Sequence, residues 1–529
     1  RLAAHLPLSD QERRLLNDFA PRGQLNDFVI SWDGSTPGAG KFRFSGRFSQ
    51  LALKQQLPTA GTRASIGSPG FEGLSGEIDA NQDGGAVKLS GTQVNFRVAE
   101  LLNTPTLSFE ELSLNANWSL RDRHQLLLKI SNMNFSQSGL RGSLEGSHSI
   151  PWPISKGKPG DIDMRLQVPG LELTRVGDFL PAGIPQSTRD WIRNALVDGR
   201  ASDVQMTIKG DLDRFPFQPA RPGEKAPGVF RISARLDRAK LNPAPDELAQ
   251  DKRTPLWHRI DDIQGTLSLD QTRLHVHADS ARTAGVPLSA VDAIIPDFLS
   301  SHPVLDVSGT ASGSLPLMLG YVNNTSIANW LDGLAEEARG SGNARVALKM
   351  QLPLSDDAPP VVQGTVRFTG NEIQLWRSMP SVQSVSGELA FSDRGFQING
   401  IQGGLLGGPI ILTGGTQRDG SVQIRAEGSV SVDGIARGFN VAGVRNLTKK
   451  MSGSARYLMQ LRIRNQRPEI TLDSTLAGLA LDFPAPLGKM QAEIMPMRFT
   501  LSPLNTIDPT LQQEEIRLTL GREIGRAHV

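Results

Sequence analysis

The chain of 529 residues contains no cysteine and only two tyrosines. Without cysteine there is no disulfide scaffold, iron–sulfur cluster, cysteine–zinc site or thiol nucleophile to consider. Neither sign of charge is in excess: 56 Lys and Arg stand against 54 Asp and Glu, a formal net charge of +2. That balance excludes an electrostatic nucleic-acid binder as the first reading. Long apolar runs are also lacking. The stretch from Gly404 to Leu412 is among the longest and is broken by Gly and Pro, well short of the roughly 20 residues of a membrane-spanning helix.

With 38% hydrophobic residues and 54 glycines, the composition is that of folded protein. Its dominant pattern is period-two alternation in short segments separated by Gly, Asp, Asn and Pro, the signature of strands and turns. Examples are Leu112 to Ala116, Ile162 to Val168, Val204 to Ile208, the series Val346, Leu348, Met350, Leu352, and the pair Val422 and Ile424. A unit recurs: Leu74-Ser75-Gly76-Glu77-Ile78 with a turn at Asp83-Gly84-Gly85, then Ile263 to Leu269 with a turn at Asp270 to Arg273, then Val385 to Phe391 with a turn at Asp393-Arg394-Gly395. Each predicts an antiparallel hairpin, and the irregular spacing makes the repeat a loose one. Helix signals are few: one starting at Ser9, one from Ser187 to about residue 198 closed by Gly199, and one over about 326–339 closed by Gly340. Pro-rich or charged stretches at Pro151 to Gly160, Phe217 to Gly228 and Asn242 to Pro255 read as linkers or long loops.

Catalytic spacing is missing. There is no His-Glu-x-x-His, no Gly-x-Ser-x-Gly and no phosphate-cradling loop, because Gly40-Lys41, Gly157-Lys158 and Gly488-Lys489 continue into Phe, Pro and Met. Asp79-x-Asn81-x-Asp83-Gly84 imitates half of a calcium loop, but its twelfth position is Ser90; a hairpin turn accounts for it. His275 and His277 share a strand face and could join His258 around a metal, yet they lie opposite Leu274 and Val276, where solvent-facing histidines belong. We therefore expect no enzyme, no cofactor and no metal site. What remains is apolar strand surface with few helices to cover it. Either a second sheet buries that surface, giving sandwiches, or an apolar ligand does, giving a groove.

The middle of the chain carries a resemblance. Phe179-Leu180-Pro181, Trp191-Ile192, Gly199 and Gly210-Asp211-Leu212-Asp213-Arg214-Phe215-Pro216-Phe217 are followed by Phe230-Arg231-Ile232, Trp257, Gly265 within Ile263 to Leu267, and Ile295-Pro296-Asp297. Gly387-Glu388-Leu389-Ala390-Phe391 and Leu405-Leu406-Gly407-Gly408-Pro409 complete the series. In this order they resemble the YhdP branch of the AsmA-like proteins of Gram-negative bacteria, most clearly from about Gly177 to Gly415. Ile192 and His258 depart from the family's usual Leu and Pro. The resemblance implies a mainly β fold: an elongated, twisted antiparallel sheet of repeated hairpins curled into a hydrophobic groove, with a few short amphipathic helices. It also implies a periplasmic segment of an inner-membrane-anchored protein. Such a protein would carry phospholipid from inner to outer membrane and support the permeability barrier.

On that reading the groove lining comprises Leu267, Leu269, Leu274, Val276, Leu389, Phe391, Phe396, Ile398, Ile410 and Leu412, while Pro181, Trp191, Gly199, Gly210, Phe215, Pro216, Phe217, Trp257, Gly265 and Gly387 are structural. The partners are phospholipid and the two membranes, with no nucleic acid. The alternative is an assembly factor for outer-membrane proteins, built from sandwich repeats. The expected segments are 1–150, the first part of the sheet with a leading helix; 151–228, with the second helix; 229–522, continued repeats; and 523–529. Because the chain begins at Arg1 and Glu523 to Val529 matches one frame of a common sequencing adapter, we read it as an internal fragment with an adapter-derived tail, which resequencing the locus would test.

Overall fold

Strands of nine to sixteen residues, each with one apolar and one charged face, dominate the chain. The computed structural model describes residues 10–33, 41–55, 70–97, 106–122, 124–152, 158–181, 183–219, 221, 224–245, 257–325, 337–354, 358–377, 379–439, 442–464, 467–503, 514–521 and 523–528. Two units are distinguished: Arg1–Asp246 with Arg259–Asp279 and Ile294–Pro303, and Glu247–His258 with Ser280–Ala293 and Val304–Val529.

In the first unit α1 (Asp10–Phe19) precedes β1 (Arg22–Asp33), β2 (Lys41–Leu53), β3 (Gly70–Asn81), β4 (Gly84–Arg97), β5 (Thr106–Arg121), β6 (Gln125–Gln137), β7 (Leu140–Pro151) and β8 (Asp161–Glu172). A 3-10 segment (Leu173–Phe179) and α2 (Gln186–Ala195) follow, then β9 (Leu196–Asp211), β10 (Val229–Leu241) and β11 (Ile260–Asp270). Each strand pairs antiparallel with the next, from β1 through β11. The β7–β8 and β9–β10 ladders join residues on either side of 150/151 and 228/229, so both positions lie within the sheet. Next along the chain come β12 (Arg273–Thr283) and β13 (Val286–Ile295).

The second unit contains β14 (Val304–Ser314), α3 (Leu315–Asn323), β15 (Arg339–Ser341), β16 (Asn343–Pro353), β17 (Val361–Gln374), β18 (Val382–Ser392), β19 (Gly395–Leu405), β20 (Gly408–Thr416) and β21 (Val422–Ser431). Two short helices, α4 (Val432–Gly438) and α5 (Ala442–Thr448), lead to β22 (Met451–Arg464), β23 (Arg467–Ser474), β24 (Leu479–Leu481), β25 (Met497–Pro503), β26 (Glu514–Leu520) and β27 (Glu523–His528). The main ladder runs β14, β16 to β23, β25, β26, β27, all antiparallel. β15 adds to β17, and β24 to the start of β22. The tail expected to be adapter-derived is the edge strand β27.

The expected hairpins are present. In β3–β4, Asn81 pairs with Gly84 and the Asn81 Oδ1 accepts the backbone N–H groups of Asp83 and Gly84 at 2.9 and 3.1 Å. Arg43 binds both Asp79 oxygens, at 3.1 and 2.8 Å, so the calcium-like spacing is spent on a turn and an ion pair. In β18–β19, Ser392 pairs with Gly395 across Asp393-Arg394.

The helices differ more. α1 forms where Ser9 announced it. α2 stops at Ala195, and Leu196 already pairs with Leu241 in β9–β10; Gly199, at φ +105°, sits within β9 at a register shift, where a Cβ would strike Ala239, rather than ending a helix. The helix expected over 326–339 lies largely outside the described residues, and Arg339 begins β15. α3 went unread because Leu315-Pro316-Leu317-Met318-Leu319-Gly320-Tyr321-Val322 is apolar all round and shows no helical period.

Candidate binding face

Register turns the alternation of single strands into continuous bands. In the first unit Phe48 on β2 lies opposite Gly76, and the same row continues through Leu89, Leu114, Met133, Leu144, Leu166, Met206 and Ile232 to Leu269 on β11. A second row holds Ile78, Val87, Ala116, Ile130, Gly146, Met164, Ile208 and Phe230. In the second unit one row runs Ala311, Val346, Val366, Leu389, Ile398, Gly414, Ile424, Leu461, Ile470, Leu501 and Ile516. Residues two apart on a strand share a face, so these rows stack into one apolar surface per unit.

The opposite face is ionic. Cross-strand pairs Arg43–Asp79 (2.8 Å), Lys209–Asp163 (2.7 Å) and Arg231–Asp270 (2.7 Å) decorate the first unit, and Arg498–Asp473 (2.6 Å) and Arg464–Asp419 (3.0 Å) the second. All are exposed, so each adds little stability; their consequence is that this face stays in water. At the β20–β21 turn the Ser421 hydroxyl (2.6 Å) and N–H, and then Arg464, hold the Asp419 carboxyl down at about 2.

The apolar face lacks full cover. Leu114, Met133, Leu144, Leu166, Met206, Ile232 and Leu269 are half-buried, whereas the core of a closed sandwich would be buried outright. A sandwich reading of the strand faces therefore does not fit.

The expected lining residues lie as follows. Leu267 and Leu269 oppose Ala234 and Ile232; Leu274 and Val276 are half-buried on β12. Leu389 opposes Ile398, Phe391 opposes Phe396, and Leu412 opposes Ile401 and Ala426. Ile398 and Ile410, at 7% and 2% exposure, are packed by protein in clusters with Val385 and Ile401 and with Ala426 and Tyr457. Tyr457 was not anticipated: it sits on the apolar face with its hydroxyl unpartnered among the described residues, and burial pushes its pKa up to about 12. His148 also lies there, its Nε2 donating to the Pro159 carbonyl at 2.7 Å.

The structural series has clear roles. Phe217 is wholly buried, its ring flanked by Gly210 and Gly228, and Phe215 bridges it to Phe230 with centroids 5.7 and 5.0 Å apart. The peptide between Phe215 and Pro216 is cis. This stretch is a packed plug rather than a linker. Trp191 on α2 donates from Nε1 to the Pro243 carbonyl at 3.1 Å. Gly265 lies opposite Leu236 and Gly387 opposite Phe368, Pro181 forms an exposed bridge, and Trp257 is half-buried. His275 and His277 are half-buried with ring centroids 6.4 Å apart, His277 Nε2 is 3.5 Å from Asp279, and His258 rests on Tyr321 at 5.4 Å.

A sequence model of the YhdP protein family matches residues 1–526. The chain belongs to the YhdP family. Among curated proteins it is 20% identical, over 385 residues, to the intermembrane phospholipid transporter YhdP of Escherichia coli (strain K12). The alignment covers 71% of this chain and 27% of that relative, so the chain spans about a quarter of the relative's length. No solved structure matches it. Among the described residues no helix of this YhdP-family chain is long and apolar enough to cross a membrane.

Proposed function

We propose that the chain is a non-enzymatic, periplasmic section of an intermembrane phospholipid carrier, anchored in the inner membrane through other parts of the protein. Acyl chains lie on the apolar rows, and lipid moves passively along them from inner to outer membrane, supporting the permeability barrier. The carrying observation is the row in register over ten strands from Phe48 to Leu269, apolar but for Gly76 and half-buried from Leu89 onward, backed by an ionic outer face. Kinship to a phospholipid transporter supplies an occupant for a row that is half-buried from Leu89 to Leu269 among the described residues. Covering such a surface is favourable by roughly 25 cal/mol per Å², which binds a lipid without demanding any one headgroup.

The test is photocrosslinking in cells with the full-length protein. A photoreactive residue at Leu269 faces the row, and one at Ser268, which opposes Ser233 on the other face, serves as control. Lipid adducts at Leu269 and not at Ser268 are expected. Adducts to protein alone at Leu269 would overturn the proposal and favour the assembly-factor reading.

A further inference from the structure

The apolar face has a closed side and an open side. In an antiparallel succession β1 and β9 run the same way, so α1 and α2, which precede them, lie at the same ends of the strands. In the second unit β14 and β21 also run alike, and α3 and the α4–α5 pair follow them at the same ends. Each unit thus has a helix edge and an opposite edge, the turn edge, whose described connections hold no α-helix; in the first unit that edge also carries the Phe217 plug between β9 and β10.

Both helix edges hold enclosed apolar clusters, although Ala80, Ala116, Ile398 and Leu461 are also buried on the turn side. In the first unit Leu74 and Val94, at 1% and 0% exposure, pack with Phe109 and Leu112 toward the helix edge. On the same strands Ile78, Leu89 and Leu114, toward the turns, are half-buried. In the second unit Leu315 and Met318 of α3 pack on Ala344, Val346 and Val366, and Val432 of α4 packs with Ala455, Leu476 and Leu479.

Register shifts occur in mid-strand, at Asn115/Ala116 of β5 and between Ile130 and Met133 of β6, and toward the helix edge, between Phe48 and Leu53 in β2, Glu72 and Ser75 in β3, Leu236 and Leu241 in β10, Thr369 and Ile373 in β17, and Gln383 and Ser386 in β18. Bulges there bend the strand ends and raise their twist. The turn edge carries Asn81 to Gly84, Asp393-Arg394 and Gln417 to Ser421, polar and largely exposed.

We propose that bound phospholipid is oriented along the strands, with acyl ends toward the helix edge and headgroups leaving over the turn edge. This rests on the lipid-carrier reading and adds a direction to it. An eleven-residue strand such as β18 spans about 36 Å, ample for one acyl chain, which fills half of a hydrocarbon core about 30 Å thick. A headgroup at the helix edge would be pressed among Leu315, Met318 and Val432; at the turn edge it meets water beside Asp393, Arg394 and Asp419. Charges of both signs there hold no headgroup class in place, which suits a lipid in transit.

The chain has no cysteine, so single labels are clean if the remainder of the full-length protein is also made cysteine-free. A fluorophore is attached at Arg394→Cys on the β18–β19 turn or at Arg445→Cys on α5, and the full-length protein is loaded from vesicles containing phosphatidylethanolamine and a phospholipid nitroxide-labelled on its headgroup or near its acyl terminus. Headgroup nitroxide is expected to quench the Arg394→Cys label at least about threefold more than the Arg445→Cys label, and the acyl-terminal nitroxide to reverse that order, because the edges lie about 36 Å apart. Equal quenching at both positions, or the opposite order, overturns the orientation while leaving lipid binding intact. No quenching by either lipid at either position removes the lipid-carrier reading itself, and the orientation with it.

Discussion

A charge placed in the middle of an apolar row should stop lipid without unfolding the sheet. Met206 is suited to this: it lies between Leu166 and Ile232, is half-buried, and its neighbour Gln205 points to the ionic face between Gln167 and Ser233. An aspartate surrounded by hydrocarbon costs about 2.5–3.5 kcal/mol. Protonating it instead costs about 4 kcal/mol at pH 7, from 1.36 kcal/mol for each unit above a pKa near 3.9, so the side chain stays ionised and the smaller penalty applies. Rows lie about 6.6 Å apart, too close for both chains of a diacyl lipid to avoid the central one. The barrier converts to a slowing of about 70- to 370-fold. Phospholipid transfer between donor and acceptor vesicles bridged by the full-length protein reads this directly, with Gln205→Asp as the matched control and circular dichroism to establish that both variants are folded. Transfer by folded Met206→Asp at the rate of Gln205→Asp would refute the reasoning.

Other outcomes follow from burial. Leu74→Ala, in the closed cluster with Val94, Phe109 and Leu112, should cost about 2–5 kcal/mol, whereas Leu269→Ala on the open side should cost about 1 kcal/mol; denaturant midpoints of the two variants will separate them. Phe217→Ala removes a wholly buried ring and should cost about 3–5 kcal/mol, with amide exchange accelerated first in β9 and β10. Burial raises the pKa of both tyrosines, Tyr321 and Tyr457, the latter to about 12. The folded state therefore holds protons that the unfolded chain releases near pH 10, and stability should fall as pH rises from about 10 to 12; in a Tyr321→Phe variant, the Tyr457 phenolate absorbance of folded protein should appear only near pH 12.

Alternation in the sequence made the strands legible, because a half-buried sheet must place an apolar residue at every second position. Leu389, Phe391 and Phe396 could be assigned to one face on that ground alone. Alternation does not say which strand stands opposite which, nor whether a second layer arrives. Ile398 and Ile410 look like Leu269 in sequence, yet they are enclosed by neighbouring side chains: Ile410, toward the helix edge, packs with Ala426 and Tyr457, and Ile398, on the turn side of β19, packs with Val385 and Ile401. The bulges themselves, at Gln50, Arg238 or Ser384 with φ near +50°, leave no compositional mark. Helix α3 was hidden for the opposite reason: its apolar residues surround the axis, since one side packs on Ala344 and Val346 while Leu317 remains exposed. Phe217 was legible as part of a motif, but only its seat between Gly210 and Gly228 reveals a plug.

The rows also bear on why passive movement would suffice. Neighbouring strands lie about 4.8 Å apart, so an acyl chain stepping along a row exchanges one aliphatic contact for another: Leu89 for Leu114, Leu144 for Leu166, Met206 for Ile232. The gain in apolar burial is nearly the same before and after each step, and the barrier is set by whatever interrupts that sameness. The row from Phe48 to Leu269 has one gap, at Gly76, and no hydrogen-bonding side chain. Where polar groups do reach the face, they are withheld from a ligand: His148 is committed to the Pro159 carbonyl, and the Tyr457 hydroxyl is enclosed beside Gly428. Along the row from Phe48 to Leu269, a lipid meets no side-chain donor among the described residues that would hold an ester or phosphate in place. A surface built to retain one lipid would instead set a convergent group of polar side chains at one point of the row, with hydrocarbon on either side. The even lining from β2 to β11 is what a path requires and a binding pocket does not.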